Sequence, residues 1–135
     1  MFDAIGIAGS GLDTYKTWID ALSDNVANVN TARPMSSPAF QERFIVAQSV
    51  EGGADNVGEG VAVTSVALGN PQGRVVYDPG NPLANAQGLV RLPDINLSDQ
   101  MTALIIAQRA YQANAAVITR AQTAYQAALN IGKPT

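Results

Sequence analysis

Residues 97–131 read LSDQMTALIIAQRAYQANAAVITRAQTAYQAALNI, and this stretch decides the fold. Its only charged residues are Asp99, Arg109 and Arg120. Apolar and amide side chains alternate at spacings of four and three, which is the period of an amphipathic helix with a heptad seam. The seam comprises Leu97, Met101, Leu104, Gln108, Tyr111, Ala115, Ile118, Gln122, Tyr125 and Leu129.

A second apolar line follows the same helix, and most of its members are Ala, which lets another helix approach closely. A helix that is apolar on two faces needs partners on both. It would span about 52 Å, whereas a compact chain of this size is about 36 Å across. The helix must therefore project, and the second line faces water in a monomer. This line comprises Ile106, Ala110, Ala113, Val117, Ala121, Ala124, Ala128 and Ile131.

Boundary signals flank this helix. Asn96 or Ser98 can cap its first turn, and Gly132 with Pro134 ends it. Residues 97–135 are therefore expected to form one C-terminal assembly helix.

The first thirty residues predict a second helix. Its apolar residues keep the same alternation of three and four without a break. Gly6, Gly9 and Gly11 each cost about 1 kcal/mol relative to Ala, so we expect the first ten residues to fray in an isolated chain and the helix proper to begin near residues 11–13. It should stop at the turn around Asn28, before Pro34. The seam comprises Ile5, Ala8, Leu12, Tyr15, Ile19, Leu22, Val26 and Val29.

The segment between the helices has a different composition, with every Pro except Pro134. Strand-like runs alternate with Gly- and Pro-rich turns, which predicts a small antiparallel sheet. In residues 61–68 the alternation places Val61, Val63, Ser65 and Ala67 on one face. The expected elements are a strand or extended arm at 40–50, a flexible loop at 51–60, and strands at 61–68, 74–77 and 88–92.

The predicted fold class is therefore α+β. Two long terminal helices pack as a coiled-coil-like pair and carry a small antiparallel β module between them. The chain divides into an N-terminal assembly helix at residues 1–32, an arm, loop and β module at 33–96, and the C-terminal assembly helix at 97–135.

Composition excludes most chemistry. The 135 residues include no Cys and no His, which rules out thiolate and imidazole metal sites and His-based triads. A net charge of −3 disfavours a nucleic-acid partner. Asp78 and Asp94 can be read as a carboxylate pair, but a turn residue before Pro79 and a loop residue before the last helix explain them better. We expect no enzyme activity, cofactor, metal or small-molecule substrate.

Three amides lie in or beside the apolar lines, namely Asn25, Gln108 and Gln122. A buried amide costs stability unless it is paired, so such residues often fix the register or the choice of partner. The alternative is that they face solvent. The sequence leaves both open.

Two motifs identify a family. The stretch SDNVANVNT at residues 23–31 resembles the Asn-Asn-Val/Ile-Ala-Asn-x-x-Thr signature of bacterial flagellar rod and hook proteins, and it ends the N-terminal heptad helix as it does in that family. Asp24 stands where the signature usually has Asn. The matching residues, which the resemblance implies are used in assembly, are Asn25, Val26, Ala27, Asn28 and Thr31.

The second motif is more specific. The stretch YDPGNPLANAQGLV at residues 77–90 resembles the Tyr-Asp-Pro-Gly-His-Pro-x-Ala-Asn-x-x-Gly-Tyr-Val segment of the proximal-rod branch of that family. Asn81 replaces the usual His, and Leu89 replaces an aromatic residue. The runs RAYQAN at 109–114 and AALNIGK at 127–133 are similar to the same branch's last helix. The matching motif residues include Tyr77, Asp78, Pro79, Gly80, Asn85 and Gly88.

The resemblance implies a structural subunit of the proximal rod, the tube that transmits motor torque towards the hook. It implies copies of the same chain and other rod proteins as partners, with export by the flagellar type III apparatus without a cleaved signal peptide. It places the chain in the basal body, where the rod crosses the cell envelope. The residues expected to pack within and between subunits are Leu12, Tyr15, Ile19, Leu22, Leu104, Tyr111, Ala113, Ile118, Tyr125 and Leu129.

Two other classes compete with this interpretation. A secreted helical effector or binding module would be expected to carry more charged and aromatic residues than this β module has. A small hydrolase would need a convergent acid–base pair, which the sequence does not offer. Assembly that depends on concentration would distinguish a rod subunit from an enzyme.

The second apolar line generates a prediction. Ala113→Glu should block incorporation into the rod while leaving expression and the β module intact, because burying an unpaired charge costs several kcal/mol. Val117→Ala, a mild truncation on the same line, serves as the control and should matter less. Motility and the amount of subunit in purified basal bodies report the outcome, and normal values for Ala113→Glu would contradict the prediction.

Overall fold

The computed structural model describes residues 2–52 and 58–131. In chain order, four strands follow helix α1 and precede helix α2, so the α+β class predicted from the sequence is confirmed. Residues 53–57 of the predicted flexible loop, and the predicted stop at Gly132 and Pro134, lie outside the described residues. The elements are α1 (Phe2–Asn28), β1 (Arg43–Val50), β2 (Gly60–Leu68), β3 (Arg74–Tyr77), β4 (Leu89–Leu92) and α2 (Leu97–Ile131).

Helix α1 begins at Phe2, so the predicted start near residues 11–13 is wrong. Contacts on both sides of its first turns account for the difference. Gly11 is buried against α2, where a Cβ would lie only 2.7 Å from the Asn114 Oδ1 atom. On the other side, the Ser10 hydroxyl accepts a hydrogen bond of 3.0 Å from the Val61 amide. These contacts outweigh the poor helix propensity of the glycines. The predicted end at Asn28 is confirmed.

The two helices run antiparallel, side by side. Asn25 meets Gln100 at one end of the pair, and fourteen residues further along each helix Gly11 meets Asn114. Continuing these equal steps brings the first residue of α1 level with about residue 123. The last two turns of α2 therefore extend past α1, by about 12 Å at 1.5 Å per residue. Asn96 caps α2, since its Oδ1 accepts the Ser98 amide at 2.9 Å.

Strands β1 and β2 form an antiparallel ribbon that packs along α1. The pairing shifts between Val46 and Ala47, and Thr64 has no Cα partner in the register. This bulge reverses which side chains point toward α1. Val61 and Val63 are half-buried as expected, but Val66 and Leu68 replace Ser65 and Ala67 in the space beside α1. The predicted face is therefore wrong beyond Val63.

The β module consists of two separate two-stranded sheets, whereas the sequence predicted one. Strands β3 and β4 pair from Arg74 with Leu92 to Tyr77 with Leu89. The segment after α1 joins this second sheet through an isolated bridge between Arg33 and Arg91. The bulged ribbon follows α1, while β3–β4 pairs with this connecting segment, so the two sheets do not merge.

The connection from β3 to β4 is closed by its own hydrogen bonds. The Asp78 amide donates to the Gly88 carbonyl at 2.8 Å, and the Asn85 side-chain oxygen accepts from the Gln87 and Leu89 amides at 3.0 and 2.9 Å. Gly88 is buried with φ +73°, and a Cβ there would lie 2.7 Å from the Tyr77 ring. Glycine is required at this position because its backbone is left-handed and the ring is close.

Gly88→Ala should lower the free energy of unfolding by about 1–2 kcal/mol, the cost of left-handed backbone in a residue with a Cβ. Gly80→Ala in the same connection is the matched control, because the nearest atom to its Cβ would be 3.9 Å away. Urea unfolding followed by circular dichroism measures both. Equal stability of the two variants would show that the turn does not constrain Gly88.

Candidate functional site

A buried amide joins three parts of the molecule. Asn25 has no solvent exposure, and both ends of its side-chain amide are paired. Its Nδ2 donates to the Arg43 carbonyl at 3.1 Å and to Gln100 Oε1 at 2.9 Å, while its Oδ1 accepts the Arg43 amide at 2.8 Å. Asn25 therefore pins α1 to the first residue of β1 and to the first turn of α2. Of the two readings open from the sequence, burial with pairing holds for Asn25.

Gln100 extends this network. It is 5% exposed, and its Nε2 donates to the Glu42 carboxylate at 2.6 Å. The carbonyl of Glu42 accepts the Gly69 amide at 2.8 Å, so the chain entering β1 is held to the residue leaving β2. Removing Gln100 would take this hydrogen-bond partner from the half-buried Glu42 carboxylate and from a buried N–H of Asn25, which is costly.

Two ion pairs lie beside the network on α1. The Asp24 carboxylate accepts from Arg43 Nη1 at 2.8 Å, and the Arg43 guanidinium also lies 5.7 Å from the centre of the Phe40 ring. Lys16 and Asp20 pair at 3.0 Å with side chains 67% and 65% exposed. The hydrogen bond and charge of Asp20 raise the pKa of Lys16 above its ordinary value. An ion pair as exposed as Lys16 and Asp20 contributes little to stability. The pair between Asp24 and Arg43 instead helps to orient the start of β1.

The end of α1 is closed by side chains of the family signature. Asn28 Nδ2 donates to the carbonyl and to the carboxylate of Asp24, both at 2.9 Å. Thr31 Oγ1 donates to the Asn28 side chain at 3.1 Å, and the Thr31 amide donates to the Asn28 carbonyl at 2.9 Å. Val26 is half-buried and Ala27 is exposed. The structure thus joins Asn28 and Thr31 in one hydrogen-bonded turn, while the side chain of Asn25 bonds to Arg43 and Gln100 instead.

On α1 every residue of the predicted seam is at least half-buried. Ala8 and Leu22 are buried, whereas Leu12, Tyr15 and Ile19 are only half-buried. Within residues 3–28 of this helix, the other buried positions are Gly11, Ala21 and Asn25.

On α2 the predicted seam is not the line that faces α1. Its members Leu97, Met101, Tyr111, Tyr125 and Leu129 are exposed, by 37–52%. Leu104 and Ile118 are half-buried. The contact line instead runs, again at spacings of three and four, through Gln100, Ala103, Ala107, Ala110 and Asn114.

The physical reason is side-chain size. Ala107 is fully buried, and Gly11 lies against Asn114, so the helices approach through small residues and leave larger apolar side chains outside. A search for large apolar residues at helical spacing passes over such a line. The sequence does carry a signal for Gln100, because small and amide residues recur from it along α2 at heptad spacing. This line runs beside the line of larger apolar residues that was predicted to be the seam.

The second apolar line is largely open to water, as the sequence predicted for a monomer. Ile106 is 53% exposed, Val117 46% and Ile131 87%, and Ala113 is exposed as well. Only Ala110 and Ala121 on this line are half-buried. Gln108 and Gln122 also face solvent, so the solvent-facing reading holds for these two amides in the single chain.

The predicted rod-type motif occupies the β3–β4 connection, apart from both helix faces. Tyr77 is 70% exposed, and Asn85 and Gly88 close the connection as described above. Pro79 and Gly80 are exposed in its turn. Asn81, at the position where the family branch usually has His, donates from Nδ2 to the Asp78 carboxylate at 3.1 Å.

The two aspartates that the sequence offered as a carboxylate pair lie in separate loops. Asp78 is used in the turn, and Asp94 is exposed between β4 and α2. Within residues 2–52 and 58–131 no group of three or more acidic side chains could hold a metal ion. Over the same ranges, neither helix combines the length and apolarity needed to cross a membrane.

Residues 86–131 match the family described as flagellar basal body rod FlgEFG protein C-terminal. The chain is 34% identical to the flagellar basal-body rod protein FlgC of Borreliella burgdorferi, over 97% of each chain. The chain belongs to the FlgC family of flagellar basal-body rod proteins.

Other FlgC relatives agree along the whole length. The proteins of Salmonella typhimurium and Bacillus subtilis are each 29% identical, over 98% of both chains. The resemblance seen in the two sequence motifs is therefore confirmed. The exposed apolar lines of α2 lie within the region that matches the FlgEFG C-terminal family.

Gln100→Ala should lower the free energy of unfolding by about 2–3 kcal/mol, because it strands the Glu42 carboxylate and one N–H of Asn25. Gln108→Ala makes the same substitution at an exposed position of the same helix and should stay within about 0.5 kcal/mol of the parent chain. Thermal or urea unfolding measures both. Similar losses for the two variants would mean that the network adds nothing beyond helix propensity.

Proposed function

We propose that this FlgC-family chain is a structural subunit of the flagellar proximal rod, polymerising through its terminal helices into the tube that transmits motor torque. The observation that carries the proposal is the apolar surface of α2. Large side chains along it, such as Ile106 at 53% and Leu129 at 52% exposure, face water in the single chain. Such a surface is typical of a protein whose partners cover it.

The small number of charged residues in α2 supports this role. Only Asp99, Arg109 and Arg120 are charged over its 35 residues. Burying its apolar lines against neighbouring subunits would supply the free energy that offsets the loss of freedom on assembly. This proposal divides the predicted packing residues between the helix pair and the intersubunit faces. These residues are Leu12, Tyr15, Ile19, Leu22, Leu104, Tyr111, Ala113, Ile118, Tyr125 and Leu129.

This proposal gives a different role to each of the three predicted segments. Residues 1–32 and 97–135 form the assembling helices, and residues 33–96 form the module that they carry. The turn closed by Asn28 and Thr31 sets the direction in which the chain leaves α1. Because each helical residue turns the chain by about 100°, a longer helix would redirect the module.

The partners follow from the same role. We propose that the chain packs against copies of itself and other rod proteins in the basal body, after export by the flagellar type III apparatus. It takes no nucleic acid or small-molecule substrate, and no catalytic step is assigned to it. A secreted effector or binding module is the weaker alternative, since the relatives that span the whole chain are rod proteins.

The test uses a strain that lacks the gene. Reintroducing the parent chain should restore motility and place the chain in purified basal bodies. Recovery of the chain only from the medium, with motility unaffected by its loss, would overturn the rod assignment and favour a secreted module.

In the same strain, Asn28→Ala with Asn30→Ala should permit export but reduce incorporation. Asn28 holds Asp24 and Thr31 in the turn, whereas Asn30 is exposed, so Asn30→Ala alone is the matched control. The measurement compares subunit in the medium with subunit in basal bodies. Parental incorporation of the double variant would show that the turn only stops the helix.

A further inference from the structure

A groove of about 730 Å³ lies between the C-terminal half of α1 and the β1–β2 ribbon. The apolar side chains on its ribbon side are open to solvent, since Val66 is 48% and Leu68 59% exposed. Concave apolar surfaces with a few polar groups at their rim are typical binding sites. The lining residues are Thr17, Asp20, Ala21 and Asp24 from α1 and Arg43, Ile45, Val66 and Leu68 from the ribbon.

The same chain carries a segment of matching character. Residues 124–131 of α2 extend past the start of α1, as the register of the helix pair requires, and contain no charged residue. Leu129 is 52% exposed and Ile131 87%. We call this segment the α2 overhang.

We propose that the α2 overhang of one copy docks in the groove of a second copy. The lengths agree: the α1 wall of the groove covers residues 17–24, and the overhang is also eight residues long, about 12 Å each. The charges agree too. The two carboxylates of the groove, on Asp20 and Asp24, are already paired with Lys16 and Arg43, and the overhang carries no charge of its own.

The overhang cannot reach the groove of its own chain. It lies beyond Phe2, whereas the groove begins at Thr17, about 22 Å further along the rigid helix. The contact therefore joins different surfaces of two copies. Head-to-tail contacts of this kind repeat into rings or helical arrays, rather than closing a symmetric dimer. The inference rests on the proposed rod function and deepens it by naming which two surfaces meet.

The absence of Cys from the sequence makes disulfide trapping clean. Leu129→Cys and Val66→Cys are made as separate full-length proteins, mixed at high concentration and oxidised. The control replaces Val66→Cys by Val75→Cys, which is 52% exposed on β3 but outside the groove. The groove pair should give about tenfold more heterodimer than the control, because docking raises the effective concentration of one thiol at the other.

Equal yields for the groove and control pairs would overturn the inference. Ala128→Cys with Leu68→Cys provides a second pair, so that the test stands if one variant misfolds, and circular dichroism verifies the fold of each.

A readout in cells separates this inference from the rod assignment. The chain with both Leu129→Cys and Val66→Cys should give a ladder of cross-linked multimers when isolated basal bodies are oxidised. Incorporation without a ladder would overturn the groove contact and leave the proposed function standing. Absence of the parent chain from basal bodies would overturn the proposed function itself.

Discussion

The paired amide of Asn25 is the interaction on which the rest of the structure depends. A buried amide in an apolar interface is costly unless each of its groups finds a partner. Asn25 finds them in the backbone of Arg43 and the side chain of Gln100, which belong to different elements far apart in the chain. Satisfying this amide holds both the start of the ribbon and the first turn of α2 against α1. The helix register and the start of the arm are thus set together.

Small residues then decide what the two helices hide and what they leave exposed. Gly11 and Ala107 allow close approach, so the interface buries little large apolar surface. The bulky side chains of α2, including Met101 and Leu129, remain outside. An ordinary monomeric protein would reverse this arrangement. It suits a chain of the FlgC family of flagellar basal-body rod proteins, whose exposed apolar surface would be covered in the proposed assembly.

The β module has a small buried core of its own, which includes Val90 at 1% and Ile95 at 7% exposure, and it also places a surface beside α1. Its bulge at Thr64 turns Val66 and Leu68 toward α1 without closing the space between them, which leaves an apolar groove along the helix. The β3–β4 connection instead holds its own shape through hydrogen bonds of Asp78 and Asn85. One sheet therefore remains available for contacts beside α1, while the other pairs with the segment that follows α1.

The sequence by itself determined both helices, the end of α1 at Asn28, all four strands within a few residues and the family, because helical spacing, turn residues and the Asn25–Thr31 motif are local signals. Only the tertiary structure decided which line of α2 faces α1, where α1 begins, and which ribbon residues point inward. Those outcomes depend on contacts that local patterns do not encode. Burial of Gly11 against Asn114 offsets poor helix propensity, a line of Ala and Gln packs more closely than Leu and Tyr, and one bulge reverses the alternation of β2.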